Sequence, residues 1–342
     1  MRNSNDAGRT CLPLRVLANI PPNGVPPEQW FPVTVEVDWL LEKYADNKPL
    51  AESLRGVDAM VGTDFTKEMG VCANGLKAIL VPAAGYDRID VDAVPAGCFV
   101  TNAYAHEAPI AEWVMACAVA LDHELFKSDR TFRDGSWEMW PGRHGSYREL
   151  MGRTFGVIGF GAIGKRVAKL AAAYDMRVIA AGRRDAQAVE AAAMGVEYSI
   201  GRPALEKVLR ESDFVLVSTP LNARTAGLIG AAELALMKPT AYLFNPARGH
   251  IVEESALYEA LRDRRIAGAA IDTWYTYPVS AADQPRPSEH PFWELDNVIM
   301  TPHHSGATEG TRTRRAKVVA ENIDRLTRGE PLINVVNGVS RG

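Results

Sequence analysis

The stretch TFGVIGFGAIGKRVAKLAAAY, residues 154–174, decides the fold of this chain. A short apolar run leads into Gly159, Gly161 and Gly164, and a helical pattern follows at once. The first glycine permits a tight turn, the second lets the backbone approach a pyrophosphate, and the third lets the helix pack closely on the strand. The positive N-terminus of that helix then faces the phosphates. Because these glycines lie between a strand and a helix, they predict a dinucleotide-binding fold, which a lone GxGxxG would not.

Short apolar runs alternate with helical patterns on both sides of this motif. EESALYEALRDRR, residues 253–265, is typical of the helical segments. Continuous apolar strands separated by helices favour parallel sheets that are covered on both faces. The sequence therefore predicts an α/β fold with doubly wound parallel sheets. The runs that we expect to form strands are LRVLANI (14–20), LKAILVP (76–82), FGVIGF (155–160), DFVLVSTP (213–220) and AAIDTW (269–274).

The predicted strands fall into two groups, one before residue 105 and one that begins near Phe155. Between them, the largely apolar residues 109–135 predict one long helix that joins two domains. A final helix over roughly 308–328 is expected to cross back to the first domain, followed by a late strand or extended tail. We therefore predict two domains, of which the first is discontinuous: residues 1–105 with 308–342, and residues 106–307.

Composition excludes several classes of partner. The net charge of the 342 residues is only −4, so neither nucleic acid nor an anionic membrane is expected to bind. The N-terminus lacks the apolar core of a signal peptide, and no stretch approaches the ~20 apolar residues of a membrane span. We expect a cytoplasmic chain that begins with a loose tail of about a dozen residues. Its scattered cysteines lack the spacing of a metal motif, so we expect reduced thiols and no metal site: Cys11, Cys72, Cys98 and Cys117.

The segment VIAAGRRD, residues 178–185, indicates which dinucleotide is bound. An NAD-binding fold usually has an acidic residue about 20 positions after its first glycine, where it binds the ribose hydroxyls. Counting from Gly159 leads to Gly182, which has no side chain, and Arg183 and Arg184 follow it. Two guanidinium groups suit a 2′-phosphate, which they bind in bidentate fashion. The alternative is that Asp185 binds the ribose, but it lies three residues further along, so the sequence favours NADP over NAD.

Three further segments place polar side chains at the ends of predicted strands. FNPARGHIVEESAL (244–257) contains Arg248, and NVIMTPHHSGAT (297–308) contains His303. AAIDTWYTYP (269–278) ends a third strand. The carboxyl ends of parallel strands are where such sheets hold their ligands. These segments are therefore candidates for the reaction site.

Together with GFGAIG, these segments resemble the D-2-hydroxyacid dehydrogenase family, and Gly182–Arg183 agrees with its glyoxylate/hydroxypyruvate reductases. The resemblance runs from VPAAGYDRID (81–90) to GEPLINVV (329–336). It implies a discontinuous, flavodoxin-like substrate domain, a central Rossmann cofactor domain, a cleft between them and a homodimer.

The resemblance implies a role for each matching residue. Arg248 would bind the substrate carboxylate and polarise the keto oxygen, because a fixed cationic fork suits a carboxylate. His303 would be the general acid–base, since imidazole titrates near neutrality. The backbone amides of Ala84 and Gly85 would hold the substrate carboxylate. The implied cofactor contacts are Gly159, Gly161, Ala162, Ile163, Gly164, Gly182, Arg183, Arg184, Pro220, Thr225, Pro246, Ala247, Arg248, Asp272, His303 and Gly306.

The sequence departs from the family at two positions beside the substrate. The histidine of the family is normally paired with a glutamate five residues after the aspartate, and counting from Asp272 gives Tyr277. We therefore count Tyr277 among the catalytic groups, with a hydroxyl that can orient the ring of His303. The family's asparagine before the AEW helix is replaced by His106, which we expect beside the substrate. Both changes leave the identity of the substrate open.

The predicted function is an NADP(H)-dependent oxidoreductase that interconverts a small 2-keto acid and a D-2-hydroxy acid by hydride transfer. Two alternatives stay open. Formate dehydrogenases of this superfamily also have a neutral residue at the glutamate position, and phosphite dehydrogenase is another relative; His106 argues against the formate enzymes, which usually keep the asparagine. A corepressor-like protein would use the fold only to sense a dinucleotide, which the presence of both Arg248 and His303 makes a weaker hypothesis.

Overall fold

A computed structural model describes residues 13–20, 26–43, 47–279 and 282–337. The tail predicted for the first dozen residues, including Cys11, lies outside these ranges. The described residues form two compact units, one that runs up to Ala105 and resumes at Glu309, and one that spans His106–Thr308. That the discontinuous unit binds the substrate stays a prediction.

Strands and helices alternate along most of the chain. The strands are β1 (Leu14–Ile20), β2 (Val37–Lys43), β3 (Ala59–Val61), β4 (Ala78–Leu80), β5 (Phe99–Thr101), β6 (Thr154–Ile158), β7 (Arg177–Gly182), β8 (Glu197–Ile200), β9 (Phe214–Val217), β10 (Tyr242–Asn245), β11 (Gly268–Ile271) and β12 (Val298–Met300). The α-helices are α1 (Pro27–Trp30), α2 (Asn47–Ser53), α3 (Lys67–Cys72), α4 (Glu107–Asp122), α5 (Leu125–Arg133), α6 (Pro141–His144), α7 (Ala162–Ala173), α8 (Gln187–Ala193), α9 (Gly201–Glu211), α10 (Ala231–Leu234), α11 (Glu254–Arg262) and α12 (Glu309–Arg328). Two 3₁₀ helices cover Gly249–Ile251 and Phe292–Glu294.

The discontinuous unit is built on a five-stranded sheet of order β2-β1-β3-β4-β5, the flavodoxin order, and all of its pairs are parallel. One face is covered by α12, whose Val319 and Ile323 are buried in the same cluster as Val16 and Leu80. After α12 the chain continues as an extended tail, in which the amide of Val336 donates to the carbonyl of Val100. This packing explains why the last helix belongs with the first strands.

The continuous unit is built on a seven-stranded parallel sheet of order β12-β11-β10-β9-β6-β7-β8. Its strand order reverses between β6 and β9, which is the point where Rossmann sheets bind dinucleotides. On one face Phe155 stacks on Phe214 with ring centroids 5.9 Å apart, in a cluster that also contains residues of α4 and α7. On the other face, β9 to β11 pack with residues of α9 and α11. Both sheets confirm the predicted α/β fold class.

The long helix predicted over residues 109–135 is divided in two. α4 buries one side, including Val114 and Ala118, whereas α5 has no buried residue. Between them Glu124 has a φ of 46°, the left-handed backbone conformation that ends a helix. The break coincides with a change in packing, because the buried positions of α4 end at Ala120 and no residue of α5 is buried.

Three cysteines in the described residues are free thiols: Cys72, Cys98 and Cys117. Burial raises the pKa of Cys98 and of Cys117 to about 12, so both remain protonated at neutral pH. Among the helices that the structure describes, none combines the length and the apolar character needed to cross a bilayer.

Candidate functional site

The glycine loop between β6 and α7 has the geometry that a bound pyrophosphate requires. Gly159 has a φ of 97°, and a Cβ there would lie 2.8 Å from the carbonyl oxygen of Ser218. At Gly164 a Cβ would overlap the carbonyl of Gly159, so only glycine allows α7 to approach β6 this closely. A Cβ at Gly161, by contrast, would have no atom within 4 Å. The open space lies at the N-terminus of α7, where Ala162 is exposed and Ile163 half-buried, so the loop fits a dinucleotide.

The end of β7 is positively charged. Arg183 and Arg184 follow Gly182, and both are exposed. Within the described part of the chain, neither guanidinium has a hydrogen-bond or ion-pair partner. Asp185 is exposed as well. Two uncompensated cations at a strand end make this a candidate anion site.

Pro220 and Thr225 belong to one turn after β9. Pro220 is exposed, whereas Thr225 is buried. The Thr225 hydroxyl donates to the carbonyl of Pro220 at 2.6 Å and accepts from the amide of Asn222 at 2.9 Å. The Thr225 side chain therefore holds the turn together, while its contact with a cofactor stays a prediction.

Arg248 follows β10 in a loop that is fixed by a residue absent from the predictions. Asn245 is 1% exposed, accepts from the amide of Ala247 at 3.2 Å and donates to the carbonyl of Arg248 at 2.9 Å. The half-buried Arg248 donates to the carbonyl of Ala247 at 2.8 Å, and Pro246 is buried. Asn245 is the polar last residue of an otherwise apolar strand, and this position was the sequence feature that could have identified it.

The loop that carries His303 is held by Asp272, whose side chain is fully buried after β11. Its carboxylate accepts from the Thr301 hydroxyl at 2.5 Å and from the His304 amide at 3.0 Å. It also accepts from the amide of Ser305 at 3.1 Å and from the hydroxyl of the same residue. His303 itself is exposed and has a φ of 58°, in the left-handed region. Asp272 therefore positions the loop, a role that the sequence did not reveal; its predicted contact with the cofactor stays a prediction.

Tyr277 contacts the ring of His303. Its hydroxyl lies 3.0 Å from Nδ1 of His303 and accepts from the amide of Trp274 at 3.0 Å. The predicted hydrogen bond from Tyr277 to His303 is thus present. Nδ1 of the His303 ring therefore faces Tyr277.

His106 is the N-cap residue of α4 and is half-buried. The loop of Gly306 approaches it closely, since a Cβ at Gly306 would lie 3.4 Å from the Cβ of His106. The structure therefore brings His106 and Gly306 together within the continuous unit.

Ala84 and Gly85 lie in the loop after β4 of the discontinuous unit, and both are half-buried. This loop is held by Asn102, which is 2% exposed and donates from Nδ2 to the carbonyl of Ala84 at 2.7 Å. The amide of Ala103 donates to the carbonyl of Ala83 at 3.0 Å. Asn102, a polar residue directly after an apolar strand, is not among the residues predicted from the sequence.

Apart from His106, the N-cap residue of α4, the candidate residues of the continuous unit share one location, the carboxyl edge of its seven-stranded sheet. They follow β6, β7, β9, β10, β11 and β12 in turn. No group of three His, Cys, Asp or Glu side chains in the described ranges could hold a metal ion. This edge therefore offers a glycine loop at a helix N-terminus, a cationic strand end, a guanidinium and an imidazole, which together suit a dinucleotide and an acid–base reaction.

The chain is similar to known proteins over most of its length. The family "D-isomer specific 2-hydroxyacid dehydrogenase, NAD binding domain" matches residues 115–305. The chain is similar to a glyoxylate reductase of Korarchaeum cryptofilum, with 36% identity over 87% of this chain and 88% of the relative. An acyclic imino acid reductase in complex with NADPH and D-Arg has a TM-score of 0.78 at 26% identity, over 94% of this chain and 99% of the other. A D-isomer specific 2-hydroxyacid dehydrogenase from Lactobacillus delbrueckii ssp. bulgaricus, in an NAD-complexed form, has a TM-score of 0.76 at 26% identity, again over 94% and 99%.

Proposed function

The chain belongs to the D-isomer-specific 2-hydroxyacid dehydrogenase family, and from that premise we propose that it is an NADP(H)-dependent reductase of small 2-keto acids. Membership makes it an NAD(P)-dependent oxidoreductase of the 2-hydroxyacid class. The choice of NADP is supported by one observation, the unpaired Arg183 and Arg184 after Gly182. Because the relatives include glyoxylate reductases, glyoxylate and hydroxypyruvate are the first substrates to test.

The cofactor is proposed to bind along the carboxyl edge of the seven-stranded sheet. The amides at the N-terminus of α7, with the open space at Gly161, would hold the pyrophosphate. Arg183 and Arg184 would hold the 2′-phosphate, since guanidinium groups bind phosphate through two parallel hydrogen bonds. When bound, the nicotinamide supplies the hydride of the reaction.

Arg248 and His303 are proposed to act on the substrate. The fork of Arg248 binds the carboxylate in bidentate fashion and its charge polarises the neighbouring keto oxygen. His303 delivers the proton to that oxygen as a general acid, while its Nδ1 faces the hydroxyl of Tyr277. Tyr277 orients the ring and is itself fixed by the amide of Trp274.

Three other residues are proposed to contact the substrate. The loop of Ala84 and Gly85, which Asn102 holds, offers backbone amides to a carboxylate. His106, at the start of α4 and next to Gly306, would contact the substrate from the position where the family has an asparagine. An imidazole is larger than the amide it replaces, so this position is expected to influence the choice of substrate.

We also propose that the protein is a homodimer that uses the segment between α4 and β6. Six large apolar side chains of this segment are exposed. Monomeric proteins rarely expose so many apolar side chains in one segment, so these residues indicate a protein–protein interface. They are Leu125, Phe126, Phe132, Trp137, Trp140 and Met151.

A substrate and cofactor panel tests the proposed function. Glyoxylate, hydroxypyruvate and other 2-keto acids are mixed with NADPH or NADH, and formate or phosphite with NADP or NAD, while the absorbance of reduced nicotinamide is followed. We expect reduction of at least one keto acid, with kcat/KM for NADPH about ten- to a hundredfold above that for NADH, the effect of about 1.5–3 kcal/mol from a charged hydrogen bond.

The other outcomes of the panel contradict parts of the proposal. A preference for NADH overturns the cofactor assignment alone. If only formate or phosphite is turned over, the proposed keto-acid substrate is wrong and one of the alternative hydride donors takes its place. Dinucleotide binding without turnover of any substrate identifies the corepressor-like alternative.

A further inference from the structure

Tyr198 lies beside the cationic end of β7. It belongs to the edge strand β8, and its backbone pairs with Ala180 of β7. Side chains of alternate residues in a strand share a face, so Gly182 lies on the same face of the sheet as Ala180. The half-buried ring of Tyr198 extends over Gly182 and also contacts the ring of Phe160, at a centroid distance of 5.6 Å.

The ring of Tyr198 occupies the space that any side chain at position 182 would need. A Cβ built on Gly182 would overlap the Tyr198 hydroxyl and lie 2.7 Å from both Cε2 and Cζ of its ring. Carbon atoms in proteins do not approach this closely, because repulsion rises steeply inside the contact distance of about 3.5 Å. Position 182 is where an acidic residue for the ribose hydroxyls of NAD is expected. An acidic side chain at position 182 therefore requires the ring of Tyr198 to move.

The Tyr198 hydroxyl also fixes the loop that carries the arginines. It lies 3.0 Å from the carbonyl oxygen of Arg184 and 3.2 Å from Oε1 of Gln187, and it shares its one hydrogen between these acceptors. The amide group of Gln187 donates in turn to the carbonyl of Phe160, inside the glycine loop. The backbone of Arg184 is thus connected through two side chains to the proposed pyrophosphate site.

We propose that Tyr198 is a specificity-determining positioning residue that disfavours NAD and favours NADP. Its ring blocks an acidic side chain at position 182, and its hydroxyl holds the Arg184 backbone where the guanidinium groups meet a 2′-phosphate. The hydroxyl effect rests on the proposed NADP preference, whereas the steric effect does not. Cofactor choice is then a joint property of Gly182 and Tyr198, and changing either residue alone is not sufficient to reverse it.

The experiment compares Gly182→Asp with Gly182→Asp/Tyr198→Ala. Dissociation constants for NADH and NADPH are measured from the fluorescence of the reduced nicotinamide, which requires no knowledge of the substrate. We expect Gly182→Asp to bind NADPH at least about tenfold more weakly, about 1.4 kcal/mol, with little gain for NADH. The double variant should bind NADH about tenfold more tightly than Gly182→Asp does. Gly182→Asp/Tyr174→Ala, which removes an exposed tyrosine of the same unit, is the control and should resemble Gly182→Asp.

Thermal unfolding provides a second measurement of the same clash. We expect Gly182→Asp to lower the Tm and Tyr198→Ala to restore part of that loss in the double variant, although Tyr198→Ala alone should lower it. Less than a threefold gain in NADH affinity between the single and the double variant overturns the steric role.

Tyr198→Phe separates the two roles, because it keeps the ring and removes the hydroxyl. We expect its affinity for NADPH to fall severalfold with that for NADH unchanged; equal losses for both cofactors overturn the positioning role. If the native protein binds NADH as tightly as NADPH, the proposed cofactor is wrong, and the comparison of Gly182→Asp with the double variant still decides the steric role.

Discussion

Arg248 is the residue on which substrate binding most depends. Arg248→Ala should lower kcat/KM for keto-acid reduction at least about a hundredfold, since removal of one partner of a buried charge pair costs about 2–5 kcal/mol. Arg248→Lys should also be poor, because an ammonium is a point charge and not a fork. Steady-state kinetics, with NADPH affinity and the Tm measured in parallel, check this expectation. An alanine variant that fails to fold would show that Arg248 has a structural role instead.

Tyr277 is expected to affect the pH range of keto-acid reduction, because its hydroxyl lies 3.0 Å from Nδ1 of His303. A neutral hydroxyl does not favour the protonated form of a histidine as a carboxylate would. Tyr277→Glu would place a negative charge beside Nδ1, which raises a histidine pKa by about 1–3 units, so the proton is kept to higher pH and the alkaline limb of keto-acid reduction moves upward. The pH profile of kcat/KM is the measurement.

Tyr277→Phe is the matched control for this prediction, because it removes the hydrogen bond without adding charge. It should lower the rate and leave the limb without an upward shift. A native limb above about pH 7.5 that Tyr277→Glu does not move would show that another acid supports His303. Glu107, next to His106, is the first residue to examine in that case.

The residues that act directly could be proposed from sequence, but those that hold them could not. Arg248 and His303 lie in short motifs at strand ends, and the resemblance of these motifs to a known family implied their roles. The hydrogen-bond partners of Asp272 are 29–33 residues away in the chain, and those of Tyr198 are 11–14 residues away. Such partners depend on strand register and loop geometry, which a single sequence does not encode in any local pattern.

At the scale of the element, the glycine loop and α7 allow a matched pair of substitutions. Gly164→Ala should destabilise the protein by about 1–3 kcal/mol, because the new methyl group overlaps the Gly159 carbonyl and forces α7 away from β6. Gly161→Ala should leave the Tm nearly unchanged and weaken NADPH binding, since its methyl group enters open space where the pyrophosphate is proposed to lie. Thermal unfolding and NADPH titration of both variants distinguish these effects, and equal Tm losses would contradict the assignment.

Strands were easier to predict than the ends of helices. The apolar runs of β4, β6, β9 and β11 are buried throughout, and burial on both faces leaves a direct signature in composition. The boundary between α4 and α5 has no such signature, because the sequence on both sides of it favours a helix. The position of this boundary depends on where the hydrophobic core beneath the helix ends.

At the scale of the whole molecule, the exposed apolar segment between α4 and β6 predicts the assembly. Phe126→Glu/Trp140→Glu should convert a dimer into a monomer, because two charges cannot be buried in an apolar interface without partners. Val71→Glu, at an exposed apolar position of α3, is the control and should leave the assembly unchanged. Light scattering would report the mass of the native protein as twice the 37.3 kDa of the chain. A native mass equal to that of one chain contradicts the prediction.

The two parts of the discontinuous unit are synthesised at different times. The strands β1 to β5 emerge first, but α12, which covers Val16 and Leu80 on one face of their sheet, emerges only after the whole of His106–Thr308. Domains generally fold as units during synthesis, so the continuous unit is expected to become resistant to proteolysis while the earlier strands are still sensitive. Limited proteolysis of ribosome-bound chains of increasing length would reveal this order, in which the first part of the chain to be made is the last to be completed.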